Sequence, residues 1–165
     1  MTAPSLAPDF LAIGHVTRDR TPDGLMWGGA VTYGALTARM MGLNAAIVTS
    51  GSGDHQGSSN VWGIPIHEIP ATDTTTFRNV HSGGRRVQFL EGVGGPIMPG
   101  DVPINWQSAP LILLGPVVGE VSSKLAFSFP DSIIVASIQG WLRRWDFEGC
   151  VTPKPWEGRE VLPYI

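Results

Sequence analysis

The sequence predicts an α/β fold, a mostly parallel, doubly wound sheet with a small antiparallel β flap beside it, and three observations carry that prediction. Short apolar runs bounded by glycine or proline recur at residues 9–15, 45–49, 111–114 and 132–138, as buried strands of a sheet covered on both faces do. Between the first two runs, Ala30 to Met41 spaces its apolar residues Val31, Ala35 and Ala38 as a helix does. A third texture, alternation of polar and apolar side chains, fills residues 74–90 and marks a hairpin with one wet face.

Taken in order, Asp9-Phe-Leu-Ala-Ile-Gly-His15 is the opening strand, and Arg18 to Gly24 is a looser stretch whose Pro22-Asp23-Gly24 has turn chemistry. Gly28-Gly29 introduces the helix 30–41, which Gly42 stops, and Ala45 to Thr49 returns as a strand parallel to the first. After the glycine-rich loop 51–57, Ile64 to Ile69 is another strand. The flap pairs Thr74–Val80 with Arg85–Leu90 around Gly83-Gly84. Prolines at 96, 99, 103 and 110 impose an irregular connection with a helical turn starting near Asp101. A strand at 111–114, a helix from Glu120 to Phe127, a strand at 132–138 and a helical turn at Trp141–Trp145 complete the order. The last residues, Val161-Leu-Pro-Tyr-Ile165, are apolar and lack a capping signal or a polar tail, so the chain is expected to stop inside a larger architecture.

A chain of 165 residues with 42% hydrophobic and 15% charged residues suits one domain with a core of its own. A net charge of −3 offers no general attraction to a polyphosphate backbone or an anionic membrane, so neither nucleic acid nor membrane is expected as a partner. The single cysteine, Cys150, forms no internal disulfide, and the four histidines, at 15, 55, 67 and 81, lack metal-ligand spacing; each suits a hydrogen-bonded structural role. Met1 to Pro8 shows no secretory pattern and Leu111 to Val118 is too short to span a bilayer, which points to a cytoplasmic protein.

Two places could carry chemistry. Asp19 lies just beyond the carboxyl end of the first strand, where open α/β sheets place ligands, and a carboxylate there accepts hydrogen bonds from neighbouring hydroxyls of a polyol. The plain alternative is a solvated turn aspartate between Arg18 and Arg20. Gly28-Gly29 lets backbone approach a ligand and presents N–H groups at a positive helix end, or else is a simple tight turn. Gly51, Gly53 and Gly57 imitate a dinucleotide fingerprint, but the last spacing is one residue too long and no helix follows. Walker-type Gly-Lys-Ser/Thr and Gly-x-Ser-x-Gly segments are absent.

In combination these features resemble the N-terminal half of the ribokinase-like carbohydrate kinases, the family that includes adenosine kinase and the minor type of phosphofructokinase. The matching pieces are the strand with Gly14-x-x-x-x-Asp19, Gly28-Gly29 with helix 30–41 and Gly42-Leu43, Val48-Thr49 leading to Gly53-Asp54 and Gly57, and the threonine-rich hairpin Thr74–Leu90 with Gly84-Arg85. Leu111 to Pro116 is similar to the strand after the lid. The resemblance implies a truncated ribokinase-like domain over 1–165 whose β lid comprises approximately residues 15–28 and 74–91. It implies an acceptor that is a sugar, nucleoside or related polyol, held by Asp19, Gly28 and Gly29, with Thr76, Arg78 and Gln88 of the hairpin excluding water on closure and Gln139 in the same crevice. It implies ATP and Mg2+ for the complete family member. The family's Gly-Ala-Gly-Asp segment, whose aspartate is the general base, belongs to the other half, so no catalytic residue and no tight ATP site are expected in this chain. The family often has Lys and Asn at the helix start where this sequence has Ala30 and Tyr33. An open sheet edge or the lid would serve a homodimer, and a non-catalytic small-ligand-binding or chain-pairing α/β module is the alternative function.

Overall fold

The computed structural model describes residues 7–53 and 63–165. The chain opens with β1 (Phe10–Ile13), an antiparallel pair β2 (Thr17–Thr21) and β3 (Gly24–Gly28), helix α1 (Ala30–Met40) and β4 (Ala45–Gly51). Next come β5 (Ile66–Pro70), β6 (Thr76–Ser82), β7 (Arg85–Gly92), β8 (Leu111–Leu114) and β9 (Ile133–Ala136), then the short β10 (Arg143–Trp145) and β11 (Val151–Pro153).

Three sheets result. The central one is five-stranded and parallel, in the order β5-β4-β1-β8-β9. β1 and β4 carry buried apolar residues on both faces. Ala12, Ile47 and Ala45 meet Val31, Ala35 and Ala38 of α1, while Leu11, Ile13, Ala46 and Val48 face a larger cluster with Trp106, Leu125, Phe129, Trp141 and Val161. The apolar runs without alternation are thereby explained, since both sides of these strands are covered. Along the edge of this core stands the lid, a four-stranded sheet in the order β3-β2-β6-β7, with β2 and β6 parallel and the outer pairs antiparallel. The pair β10–β11 leans on β7 through a Phe89–Cys150 bridge and the Leu90 N–H to Gly149 carbonyl bond of 2.8 Å.

Four expectations require correction. Residues 18–24 are not a loose stretch: they form most of β2 and the turn into β3, because lid neighbours supply the backbone partners that a strand so poor in apolar residues could not attract by burial. No α-helix spans 120–127; a 3-10 helix occupies Ser123–Ser128, where Ser122 caps the Lys124 N–H and Pro130 closes off continuation. Trp141–Trp145 is not a helical turn, since the 3-10 helix lies at Ile138–Leu142 and Arg143 already begins β10. The helical turn expected from Asp101 is two 3-10 turns, Pro99–Asp101 and Ile104–Trp106, in keeping with prolines that start turns but deny them N–H donors. Among the described residues α1 is the one α-helix, so 3-10 turns and irregular chain do the covering on the second face.

Candidate functional site

Strand order reverses between β1 and β8, the position where open α/β sheets leave a crevice at the carboxyl ends of their strands. Gly14 and Gly115 meet there. Gly14 has φ 154°, and a Cβ on it would strike the Gly115 carbonyl, so the two strand ends approach as only backbone can.

Behind this crevice lies a buried polar hub. His15, with no exposed surface, contacts the Gly95 carbonyl through Nε2 at 2.8 Å and the Thr75 hydroxyl through Nδ1 at 2.6 Å. A carbonyl can only accept, so in the neutral ring the proton sits on Nε2; Thr75 then donates to Nδ1 while accepting from the Gly94 N–H at 2.9 Å. Glu120 is drawn in beside it. Its carboxylate accepts from the backbone N–H groups of His15, Val117 and Val118 at 2.8–3.0 Å, which satisfies a charge that burial would otherwise make costly. Thr49 and Ser50, at the end of β4, accept from the N–H groups of Val16 and Gly95. The hub thus ties the ends of β1 and β4, the root of the lid and the loop after β8 into one unit.

The lid presents two faces, and strand periodicity assigns them. Register places Asp19 opposite Met26 and Phe77, and Asn79 opposite Gln88, so these residues share the inner face, where Phe77 and Leu90 pack on Val117 and Val118. Gly28 belongs to the same face: a Cβ on it would run into the Asp19 carboxylate. Burial pushes the Asp19 carboxyl above its usual range, and the nearby Arg86 and Arg143 guanidiniums only partly offset that. Arg143 lies 5.8 Å from the Phe77 ring centre; burial lowers its pKa, Arg86 adds to the lowering, and Asp19 and Glu120 oppose it. Arg86, Gln88, Gln139, Leu142, Arg143 and Thr152 line an open cleft of about 400 Å³.

The structure therefore brings Asp19 and Gly28 together on the inner face, where Gln88 also stands, and puts Gln139 across from Gln88 in the adjoining cleft. Gly29 follows directly as the N-cap of α1, with φ 94° and no side-chain capping bond, and a Cβ there would strike the His15 carbonyl. Thr76 and Arg78 are not brought to Asp19. They pair in register with Arg18 and Arg20 on the outer face, where the Thr76 hydroxyl donates to the Thr74 carbonyl and Arg78 binds Glu91 at 2.7 Å beneath the Phe89 ring. Asp54 and Gly57 lie outside the described residues. Asn79, Arg86, Glu120 and Arg143 were missed by sequence reasoning, whereas His15 takes the hydrogen-bonded structural role expected of it. Parity with Phe77 would have flagged Asn79, whereas Arg143 sits in Leu142-Arg-Arg-Trp145 with no signal of its own.

No family model and no curated protein matches the sequence. Solved structures do. A pyrophosphate-dependent kinase in the ribokinase family, complexed with a pyrophosphate analog and myo-inositol, superposes with a TM-score of 0.77 at 20% identity, covering 94% of this chain and 58% of that one. An uncharacterized sugar kinase from Pyrococcus horikoshii gives 0.64 at 13% identity, covering 80% and 57%. Ribokinase of Arabidopsis thaliana complexed with ribose and ATP gives 0.55 at 13% identity, covering 79% and 53%. The chain thus spans less than two thirds of the length of each of these structures. Among the described residues no helix is long and apolar enough to cross a membrane. A parallel five-stranded sheet, a β lid at the carboxyl end of its first strand and these superpositions together give the chain a ribokinase-like fold.

Proposed function

We propose that this chain is the acceptor-binding part of a kinase acting on a small polyhydroxylated compound, a sugar, nucleoside or cyclitol. The observation that carries the reading is the Asp19 carboxylate, held half-buried against Gly28 on the inner face of the lid. A carboxylate so placed accepts from two adjacent hydroxyls of one ligand, and the missing Cβ of Gly28 leaves room for that carboxylate. Gln88 and Gln139 add amides that both donate and accept, as hydroxyl recognition requires. Lid strands that cover a bound ligand exclude water from the reacting hydroxyl. Neighbouring folds in complex with myo-inositol and with ribose support the substrate class.

Phosphoryl transfer needs an oriented nucleophile and neutralised phosphate charge. The 165 residues hold no Gly-Ala-Gly-Asp segment. Among the described residues no group of three or more His, Cys, Asp or Glu could hold a metal ion, and the Glu120 carboxylate is committed to backbone donors. Among the described residues no all-protein Mg2+ site is present, and no step of the chain's chemistry is routed through the ion. The donor, ATP or pyrophosphate, and the general base belong in this reading to further polypeptide. On its own the chain binds the acceptor without phosphorylating it.

Calorimetry with ribose, adenosine, myo-inositol and fructose tests the assignment. One of them is expected to bind, with the Asp19→Ala variant at least about tenfold weaker, the loss of one charge-assisted hydrogen-bonding group. Equal heats from both proteins would remove Asp19 from the site. A second reading, a chain-pairing module without catalysis, is favoured by the exposed edge strand β9, whose Ile133 and Val135 are 67% and 59% exposed.

A further inference from the structure

The two faces of the lid treat their arginines differently. On the outer face, Arg20 and Arg78 both close on Glu91 at 2.7 Å, so each guanidinium is directly ion-paired to a shared carboxylate. On the inner side, Arg86 and Arg143 have no such partner. Arg86 gives its Nε to the Asn79 side-chain oxygen at 2.9 Å, Arg143 gives one Nη to the Val117 carbonyl at 3.4 Å, and neither forms an ion pair among the described residues. Both guanidiniums line the same open cleft, together with the Gln88 and Gln139 amides. They are near enough for Arg86 to disfavour the charge on Arg143; the opposing carboxylates are Asp19, felt by both guanidiniums, and Glu120, felt by Arg143 and already committed to backbone donors. Two like charges facing a concave surface, with donors between them and one acid to one side, form an electropositive pocket next to a hydroxyl acceptor.

We propose that the acceptor of this chain is an anionic polyol, one bearing a phosphomonoester or carboxylate that Arg86, Arg143 and the Gln88 and Gln139 amides hold while its hydroxyls reach Asp19. The proposal rests on the acceptor-binding reading above and adds the ligand's second end. Guanidiniums present paired N–H groups matched to the oxygens of a phosphate or carboxylate, and a neutral sugar hydroxyl accepts from them without the charge or the two-point match. Asp19 repels an anion placed beside it, so the bound molecule has one orientation available, with its anion toward the arginines and its hydroxyls toward the carboxylate.

Calorimetry on the whole 165-residue chain compares fructose with its phosphomonoester and glucose with glucuronate, and uses inorganic pyrophosphate as a donor-side probe. The anionic sugar is expected to bind at least about tenfold more tightly than its neutral parent, with the advantage shrinking as salt rises. A gain for the phosphomonoester alone assigns phosphate, and a gain for both anions assigns a site for either oxyanion. Arg143→Gln and the exposed Arg86→Gln should each bring the anionic-to-neutral affinity ratio toward one, while Arg86→Lys keeps part of it; thermal melting verifies that all three fold. Equal affinities for neutral and anionic sugars, or an advantage that neither Gln substitution reduces, would overturn the proposal. So would pyrophosphate binding more tightly than the anionic sugars through Arg143, because the arginines would then serve the donor. An anionic advantage that persists in Asp19→Asn with unchanged fructose binding would sink the role of Asp19 and leave the anion site standing. Equal affinities that still require Asp19 would do the reverse.

Discussion

Asp19 stands where its own charge is disfavoured, and that sets two pH effects of opposite sense. Its folded-state pKa is raised above 3.8 by burial, so between 3.8 and the raised value the folded chain binds more protons than the unfolded one. Stability contributed by this group is therefore greatest below 3.8 and falls as pH rises through the window. Asp19→Asn should raise the melting temperature at neutral pH, and the gain should vanish below 3.8; scanning calorimetry across pH measures it. Ligand binding runs the other way, because the acceptor role needs the carboxylate: polyol affinity is lost as pH falls through the raised pKa. Glu120 differs in kind. Glu120→Gln turns an amide toward backbone N–H donors that have no other acceptor, and unfolding by urea should show a loss of about 2 kcal/mol.

At the scale of elements, what was legible depended on whether burial or partners made the strand. β1, β4 and β8 announce themselves as apolar runs because the core packs against them, β9 is an apolar run although Ile133 and Val135 lie open where cover on both faces was expected, and the β6–β7 hairpin shows itself by its alternation around Gly83-Gly84. β2 and β3 do not. Thr17-Arg-Asp-Arg-Thr21 is held by backbone pairing on both sides, and Leu25 and Met26 of its partner are largely exposed, so no periodic burial wrote itself into the sequence. Glu120 to Phe127 misled for the converse reason: its helix-like composition is overridden by a carboxylate turned inward toward His15, a residue 105 positions away. The candidate site was legible where position along a strand decides it, at Asp19 and Gly28. It was illegible at Arg143, whose place depends on how β10–β11 leans against the lid. Parity also separates Arg78 from Asn79, yet only after register is known.

For the whole molecule, one flank is unfinished. α1 packs over β1 and β4 and reaches β8 at Leu113, while Ile133 and Val135 of β9 lie open with their strand edge unpaired. Edge strands lacking charge or proline invite pairing with another chain. The isolated chain is expected to associate with increasing concentration, and Ile133→Lys should weaken association about tenfold, the equivalent of one large apolar side chain; sedimentation velocity measures this. Unchanged sedimentation would acquit β9.

The His15 hub has a consequence for movement. Both strands that leave the core for the lid, β2 after Val16 and β6 after Thr75, depart from the same knot of buried hydrogen bonds. A pivot at the root would have to break that knot, so the opening and closing that the proposed function calls for is expected from flexure further out, toward the tips at Pro22-Asp23 and Gly83-Gly84. Amide exchange should map it, slow at Val16, Gly94 and Gly95 and fast at Gly24 and Gly84. The covering sheet, on this account, bends like a reed clamped at its base.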